Sequence, residues 1–193
     1  MAKITRDSLM TLEAYAKARK EFRTRVIQHK EHRRIAVGPH VTLHFEDELT
    51  MRYQVQEMLR AERIFEEEGI QEELDTYNAL VPDGRNFKAT MMIEYPDPEE
   101  RDTRLKELIG IEDRVWIEIE GAGRAWAIAD EDLDRETADK TSSVHFLRFE
   151  LDEAMAARLR QGAGLTVGVD HAHYRESATV VDAVRKALLQ DLG

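Results

Sequence analysis

The chain has 193 residues and no cysteine. That excludes disulfides, thiolate zinc sites, cysteine-ligated iron–sulfur clusters and cysteine nucleophiles within it, so any metal needs His, Asp or Glu ligands. Cysteine-free composition fits a reducing cytoplasm. Long apolar runs are also missing: none approaches the ~20 residues that cross a bilayer. The opening MAKITRDSLM lacks the apolar core of a signal peptide. A cytoplasmic protein with no membrane partner is therefore expected. Net positive charge is lacking as well; at −11 the chain does not suit general nucleic-acid binding. There is no Gly-x-Ser-x-Gly elbow, no Walker loop and no Glu-x-x-His pair of a di-iron bundle, and no cofactor is expected.

What is present begins with an uneven charge distribution. Residues 1–35 hold ten Lys/Arg against four Asp/Glu, a net of +6 that leaves −17 on the rest. A basic arm on an acidic body could pair with its own body, with a second copy or with an acidic partner. Hydrophobic residues make up 42% of the chain, enough for a real core. The organisation expected is a basic N-terminal helical arm, 1–35, followed by one α+β domain, 36–193.

Periodicity predicts the elements. Residues 7–29 carry Leu9, Leu12, Ala16, Phe22 and Val26 on one helical stripe, with Asp7 or Ser8 as cap. HVTLHFED (40–47) alternates Val41, Leu43 and Phe45 with polar residues, a half-buried strand. Residues 50–68 predict an amphipathic helix with Met51, Val55, Met58, Leu59 and Phe65 buried, ended by Gly69, and a shorter helix over 70–80. FKATMMIEY (87–95) alternates as a strand; Pro98 and a run of acids open a helix over 98–109. RVWIEIE, GAG and RAWAIAD read as a hairpin. Residues 130–142 read as a loop, 143–151 as a strand, 152–162 as a helix, 165–171 as a strand and 176–191 as a closing helix. A hairpin in the middle of such an order predicts α+β, a mainly antiparallel sheet with helices on one face.

GVDHAHY (168–174) is the densest candidate for chemistry. On one extended strand His171 and His173 would share a face roughly 7 Å apart, close enough for one metal, with His145 or Glu94 as a third ligand. The alternative is that Asp170 and His171 fix a strand end by hydrogen bonding, with Tyr174 packed beside them. His29 and His32 share a helix face, but Lys30, Arg33 and Arg34 would repel a cation. His40 and His44 would lie ~13 Å apart on a strand, too far for one ion. The two Gly-Ala-Gly segments read as a hairpin turn and a helix C-cap. The acids Asp130, Glu131, Asp132, Asp134 and Glu136 lack the calcium-loop pattern. Arg52, Tyr53, Gln54, Gln56, Glu57 and Arg60 form a hydrogen-bonding set on two helix turns, a docking face for a partner or small anion, or a solvated face.

The segments FEDELTMRYQVQEMLRAERIF, VPDGRNFKATMMIEY, IGIEDRVWIEI, AIADEDLDRE, KTSSVHFLRFEL and GVDHAHY together resemble the bacterial domain-of-unknown-function family 3501 over nearly the whole chain. The resemblance carries no established activity. It implies genes set beside rubrerythrin-like proteins and an iron–sulfur oxidoreductase, hence a part in peroxide or redox stress. The family's last motif reads Asp-His-Pro-x-Tyr; Asp170, His171 and Tyr174 match, while Ala172 replaces the proline and His173 falls at the variable position. The match supports Asp170–His171–Tyr174 as a unit and counts against His173 as a ligand.

Three functional expectations follow. One is an accessory or interaction protein serving a redox or iron protein partner. Another is a metal- or ligand-dependent enzyme centred on His171, the metal ligand if there is one, with Asp170, Tyr174 and His145. The last is a homodimer joined through the basic helix.

Overall fold

The computed structural model describes residues 3–129 and 139–193. The acids at 130–136 therefore lie outside the described residues. A 3₁₀ turn, Arg6–Ser8, precedes α1 (Leu12–Glu31). Then come β1 (Arg34–Val37), β2 (Val41–Glu46), α2 (Glu48–Ala61), α3 (Glu67–Asn78), β3 (Asn86–Ile93) and α4 (Pro98–Glu107). The second half holds β4 (Val115–Ile119), β5 (Gly123–Trp126), β6 (Val144–Glu150), α5 (Glu153–Arg160), β7 (Leu165–His171), β8 (Tyr174–Thr179) and α6 (Asp182–Leu188). No helix among the described residues is long and apolar enough to cross a membrane.

Local sequence sets the helix starts. The Thr11 hydroxyl accepts from the Ala14 amide at 3.2 Å, so α1 begins after Thr11, and Asp7 and Ser8 sit in the preceding 3₁₀ turn. Asp47 and Thr50 cap α2 reciprocally, each side chain accepting the other's amide at 2.9 Å. Asp97 followed by Pro98 opens α4, and Asp152 opens α5.

The fold is α+β with every strand pair antiparallel, as expected, and the strands divide between two four-stranded sheets, β1-β2-β3-β6 and β5-β4-β7-β8. Alternate residues of both sheets build one core: Leu43, Phe45, Met91 and Phe149 from the first, Val115, Ile117, Val167 and Val169 from the second. Leu105 of α4, Leu108 just after its end, Met155 and Leu159 of α5 and Val184 and Leu188 of α6 join it. At one sheet junction Ile128 and Arg148 exchange two backbone hydrogen bonds of 2.8 Å. A second apolar cluster joins Met51, Val55 and Leu59 of α2 to Ile70 and Leu74 of α3, with Phe146 of β6 packed against it. A third holds Tyr15, Phe22 and Val26 of α1 against Leu49 and Tyr53 of α2.

Several details differ from expectation. The helix expected over 176–191 is a strand, β8, followed by the shorter α6; the residues after Tyr174 alternate in polarity too weakly to show it. The helix expected over 50–68 stops at Ala61, where Arg63 takes a left-handed φ of 56°. Phe65, beyond that break, is 70% exposed rather than buried. Gly69 lies inside α3 rather than ending a helix, and β1 is a strand that the periodicity did not suggest.

Candidate functional site

GVDHAHY is the tip of a β-hairpin. β7 ends at His171 and β8 begins at Tyr174, with Ala172-His173 as the two-residue turn. His171 and Tyr174 are directly opposed across the strands, as are Asp170 and Arg175. His173 therefore does not extend the strand beside His171, although the two rings still lie 5.8 Å apart, tilted by 44°. Instead the His173 amide donates to His171 Nδ1 at 3.2 Å. That assigns the ring proton to Nε2, which donates to the Ile109 carbonyl at 3.1 Å. Both ring nitrogens are thus occupied by backbone groups, and neither presents a free lone pair.

The Tyr174 hydroxyl reaches the opposite sheet. It donates to the Val37 carbonyl at 2.7 Å and accepts the His40 amide at 3.1 Å. Burial pushes this phenol's pKa up, against the opposing pull of the His40 and Val41 amides. Gly38, at φ 72°, brings the β1–β2 turn so near that a Cβ there would strike the Tyr174 hydroxyl and Glu176. Asp170 points the other way, 3.3 Å from Arg175 and 3.7 Å from Arg114, and its carbonyl accepts from Arg114 Nε at 2.9 Å. The three residues join β7–β8 to the end of α4, to the β1–β2 turn and to Arg114.

His145 belongs to a different neighbourhood. It is buried on β6, with Nε2 2.9 Å from the Thr141 hydroxyl, 3.0 Å from the Ser142 carbonyl and 3.9 Å from Glu112 Oε2. Among the described residues no three His, Asp or Glu side chains group as metal ligands. His40 sits in the turn before β2, stacked on Tyr95 at 4.0 Å, and His44 is half-buried on β2 with its pKa lowered by burial.

The polar set on α2 faces α1. Gln56 is buried, accepting the Met10 amide at 2.7 Å and donating to its carbonyl at 3.4 Å. Glu57 takes Arg19 Nε and Nη2 at 2.7 Å each and the Tyr15 hydroxyl at 2.5 Å. The Arg19 hydrogen bonds outweigh partial burial and hold the Glu57 carboxyl down at about 2. Tyr53 packs on Phe22, and Arg52 lies over the same ring while pairing with Glu48 at 3.2 Å. Gln54 is half-buried beside them and Arg60 is exposed.

Two features of the site region have no local signature in the sequence. Arg33 is wholly buried and donates to the Phe45, Glu46 and Ala187 carbonyls. It also pairs with Asp191, at the far end of the chain, and lies 3.4 Å from Asp47, which His29 contacts at 2.5 Å. Burial pushes Asp191 up to about 6 despite Arg33: one carboxylate oxygen meets the guanidinium, the other is buried without a partner among the described residues, and Asp47 is close by. For Asp47, burial is outweighed by His29, Arg33 and the Thr50 amide, and its carboxyl is lowered. The second feature is a cleft of about 460 Å³ between α1 and α2, lined by Arg19, Lys20, Arg23, Arg60, Thr24 and Ile27 without a carboxylate. A basic run in the sequence hinted at it; the convergence of Arg60 on it comes from helix packing.

A family model described as a protein of unknown function, DUF3501, matches residues 3–192. The crystal structure of a novel protein of unknown function from Burkholderia pseudomallei K96243 is similar over 100% of both chains, with 53% identity and a TM-score of 0.94. No curated protein matches.

Proposed function

The chain belongs to the DUF3501 family, and from that premise we propose that it is an accessory interaction module that offers the α1–α2 cleft to an acidic surface of a partner protein. The observation that carries this reading is the sign of the cleft. Arg19 is matched by Glu57, while Lys20, Arg23 and Arg60 make no ion pair among the described residues. Ile27, 51% exposed, adds apolar contact and continues into a neighbouring recess where Lys30, Arg34 and His44 outnumber one carboxylate, Glu31. Such a concentration of unpaired cations on a chain of net charge −11 favours steering of a negatively charged face into one place. The Tyr15, Arg19 and Gln56 bonds hold α1 against α2, so the cleft is preorganised and little ordering entropy opposes binding.

In this reading the partner is a cytoplasmic iron or redox protein of the rubrerythrin or iron–sulfur kind, the class implied by the family resemblance, and it carries the redox centre. Asp170, His171 and Tyr174 act structurally, because their polar atoms are directed at the chain's own backbone and arginines.

The test is a tagged wild-type chain and a Lys20→Glu/Arg23→Glu/Arg60→Glu variant, each purified from native cells at low salt and analysed by mass spectrometry. Wild type should retain an acidic iron or redox protein that the variant loses, and about 0.5 M salt should release it. Equal retention by both chains, or retention of no such protein, overturns the reading. Unchanged mass of both chains by light scattering would separately dispose of a homodimer made through this helix.

A further inference from the structure

The cleft between α1 and α2 is one end of a longer trough. Along one flank of α1, Ala16, Lys20, Arg23, Ile27 and Lys30 recur every three or four residues, which lines them up in a single row. At one end of that row the facing wall is Arg60 of α2, in the cleft already described. At the other end the row enters a second recess, of about 620 Å³, walled by Arg34 and Ala36 of β1 and His44 of β2. Ile27 lines both recesses and so sits between them. From Ala16 to Glu31 the helix advances about 22 Å, at its usual rise of about 1.5 Å per residue.

Free donors stand at both ends. Lys20, Arg23 and Arg60 at one end, and Lys30 and Arg34 at the other, make no ion pair among the described residues. All are exposed except Lys30, which is half-buried. Arg19 does not count among them, because Glu57 takes its guanidinium. Lys30 and Arg34 both act on the second recess: burial lowers the His44 pKa, and these two charges lower it further. Glu31 is the carboxylate there, one against two free cations. At the centre, half-exposed Ile27 offers no donor, so a carboxylate placed on it would lose water without gaining a partner, whereas an apolar side chain would bury area with it.

We propose that the trough binds a linear acidic segment of the partner protein, with carboxylates at both ends and one large apolar side chain seated on Ile27. At about 3.3 Å per extended residue, the trough's length of about 22 Å holds about seven residues. This rests on the accessory-module reading and adds to it the form of the segment that the partner presents.

The test uses the full-length chain and fluorescein-labelled peptides, read by fluorescence anisotropy at about 50 mM salt. The probe has three aspartates on each side of a central leucine. One control has serine at the centre, and the other has the leucine moved to an end. The probe should bind saturably, and each control about tenfold more weakly. Ile27→Ser should weaken the probe by a similar factor, as should Arg23→Glu and Arg34→Glu at opposite ends of the trough. Lys17→Glu, on another flank of α1 where Lys17 pairs with Glu13, should change the affinity less than about twofold. All four side chains are exposed, and circular dichroism checks that the variants fold. No saturable binding, affinity indifferent to the leucine's position or to Ile27→Ser, or equal weakening by Lys17→Glu overturns the proposal. None of those outcomes bears on whether wild type retains an acidic iron or redox protein from cells, so the linear segment and the accessory role fail separately.

Discussion

Two seams hold distant parts of this chain together, and they do so with opposite chemistry. At the β7–β8 tip, Tyr174 and His171 bond to the backbone of Val37, His40 and Ile109, so the seam is made of neutral hydrogen bonds. Near the chain ends, Arg33 binds Asp191 and Asp47 in a buried ionic seam, with His29 on Asp47. The first satisfies every polar atom it buries. The second leaves Asp191 Oδ1 without a partner among the described residues and depends on protonation. A neutral seam contributes modestly and steadily; an ionic one is strongly destabilised when broken and varies with pH.

The comparison breaks hardest at Arg33. Arg33→Met removes the cation from between two buried carboxylates, and the stability lost by urea unfolding should be ~3–5 kcal/mol. A loss under 1 kcal/mol would mean the ionic seam is no stronger than the neutral one. Next in size is the pH response of Asp191. Its folded pKa of about 6 lies above the ordinary carboxylate value of 3.8. Its favourable contribution is therefore fully present below 3.8 and lost as pH rises through 6, ~3 kcal/mol in all. Wild type minus Asp191→Asn, measured by thermal unfolding from pH 4 to 7, should show that fall; a flat difference would refute the assignment. Tyr174→Phe should remove ~1–2 kcal/mol, equally at pH 5 and pH 8, because none of its partners titrates in that range. A loss that changes between those two pH values would erase the contrast between the seams.

The smallest expected effect is at Glu57, which is partly exposed. Glu57→Gln should destabilise by ~1 kcal/mol, discounted for solvent screening of its pair with Arg19. With a folded pKa of about 2 against 4.5, the contribution is present above 4.5 and lost as pH falls toward 2. An acid titration followed by circular dichroism checks the direction, which is opposite to that of Asp191.

Much of the fold was legible because most elements bury one face at one period. Val41, Leu43 and Phe45 alternate, as do Phe87, Ala89 and Met91, and all are buried. Asp97-Pro98 and Asp152 announce helix starts through chemistry local to three or four residues. β8 was not legible. It is an edge strand, polar on most of its length, and its turn, Ala172-His173, has no glycine and no positive φ to mark it. The candidate site was legible only by residue type. Gln56 and Glu57 stood out as polar, but that their partners are Met10, Tyr15 and Arg19 depends on how α1 crosses α2. The Arg33–Asp191 pair spans 158 positions, and the Trp116 indole of β4 packs where a Cβ at Gly168 of β7 would collide with it.

The amino-acid sequence alone determined the family, the α+β class, the absence of thiol chemistry and the basic character of the N-terminal helix. Each is a property of composition or of short-range pattern. The tertiary structure alone decided that Asp170, His171 and Tyr174 form the tip of a hairpin, with His171 and Tyr174 directed at backbone groups. It also decided that the polar row on α2 meets α1 and that Arg60 and Arg34 wall the same flank of α1. Those outcomes rest on strand register and helix crossing, which bring together residues tens to more than a hundred positions apart, where no local preference can specify the partner.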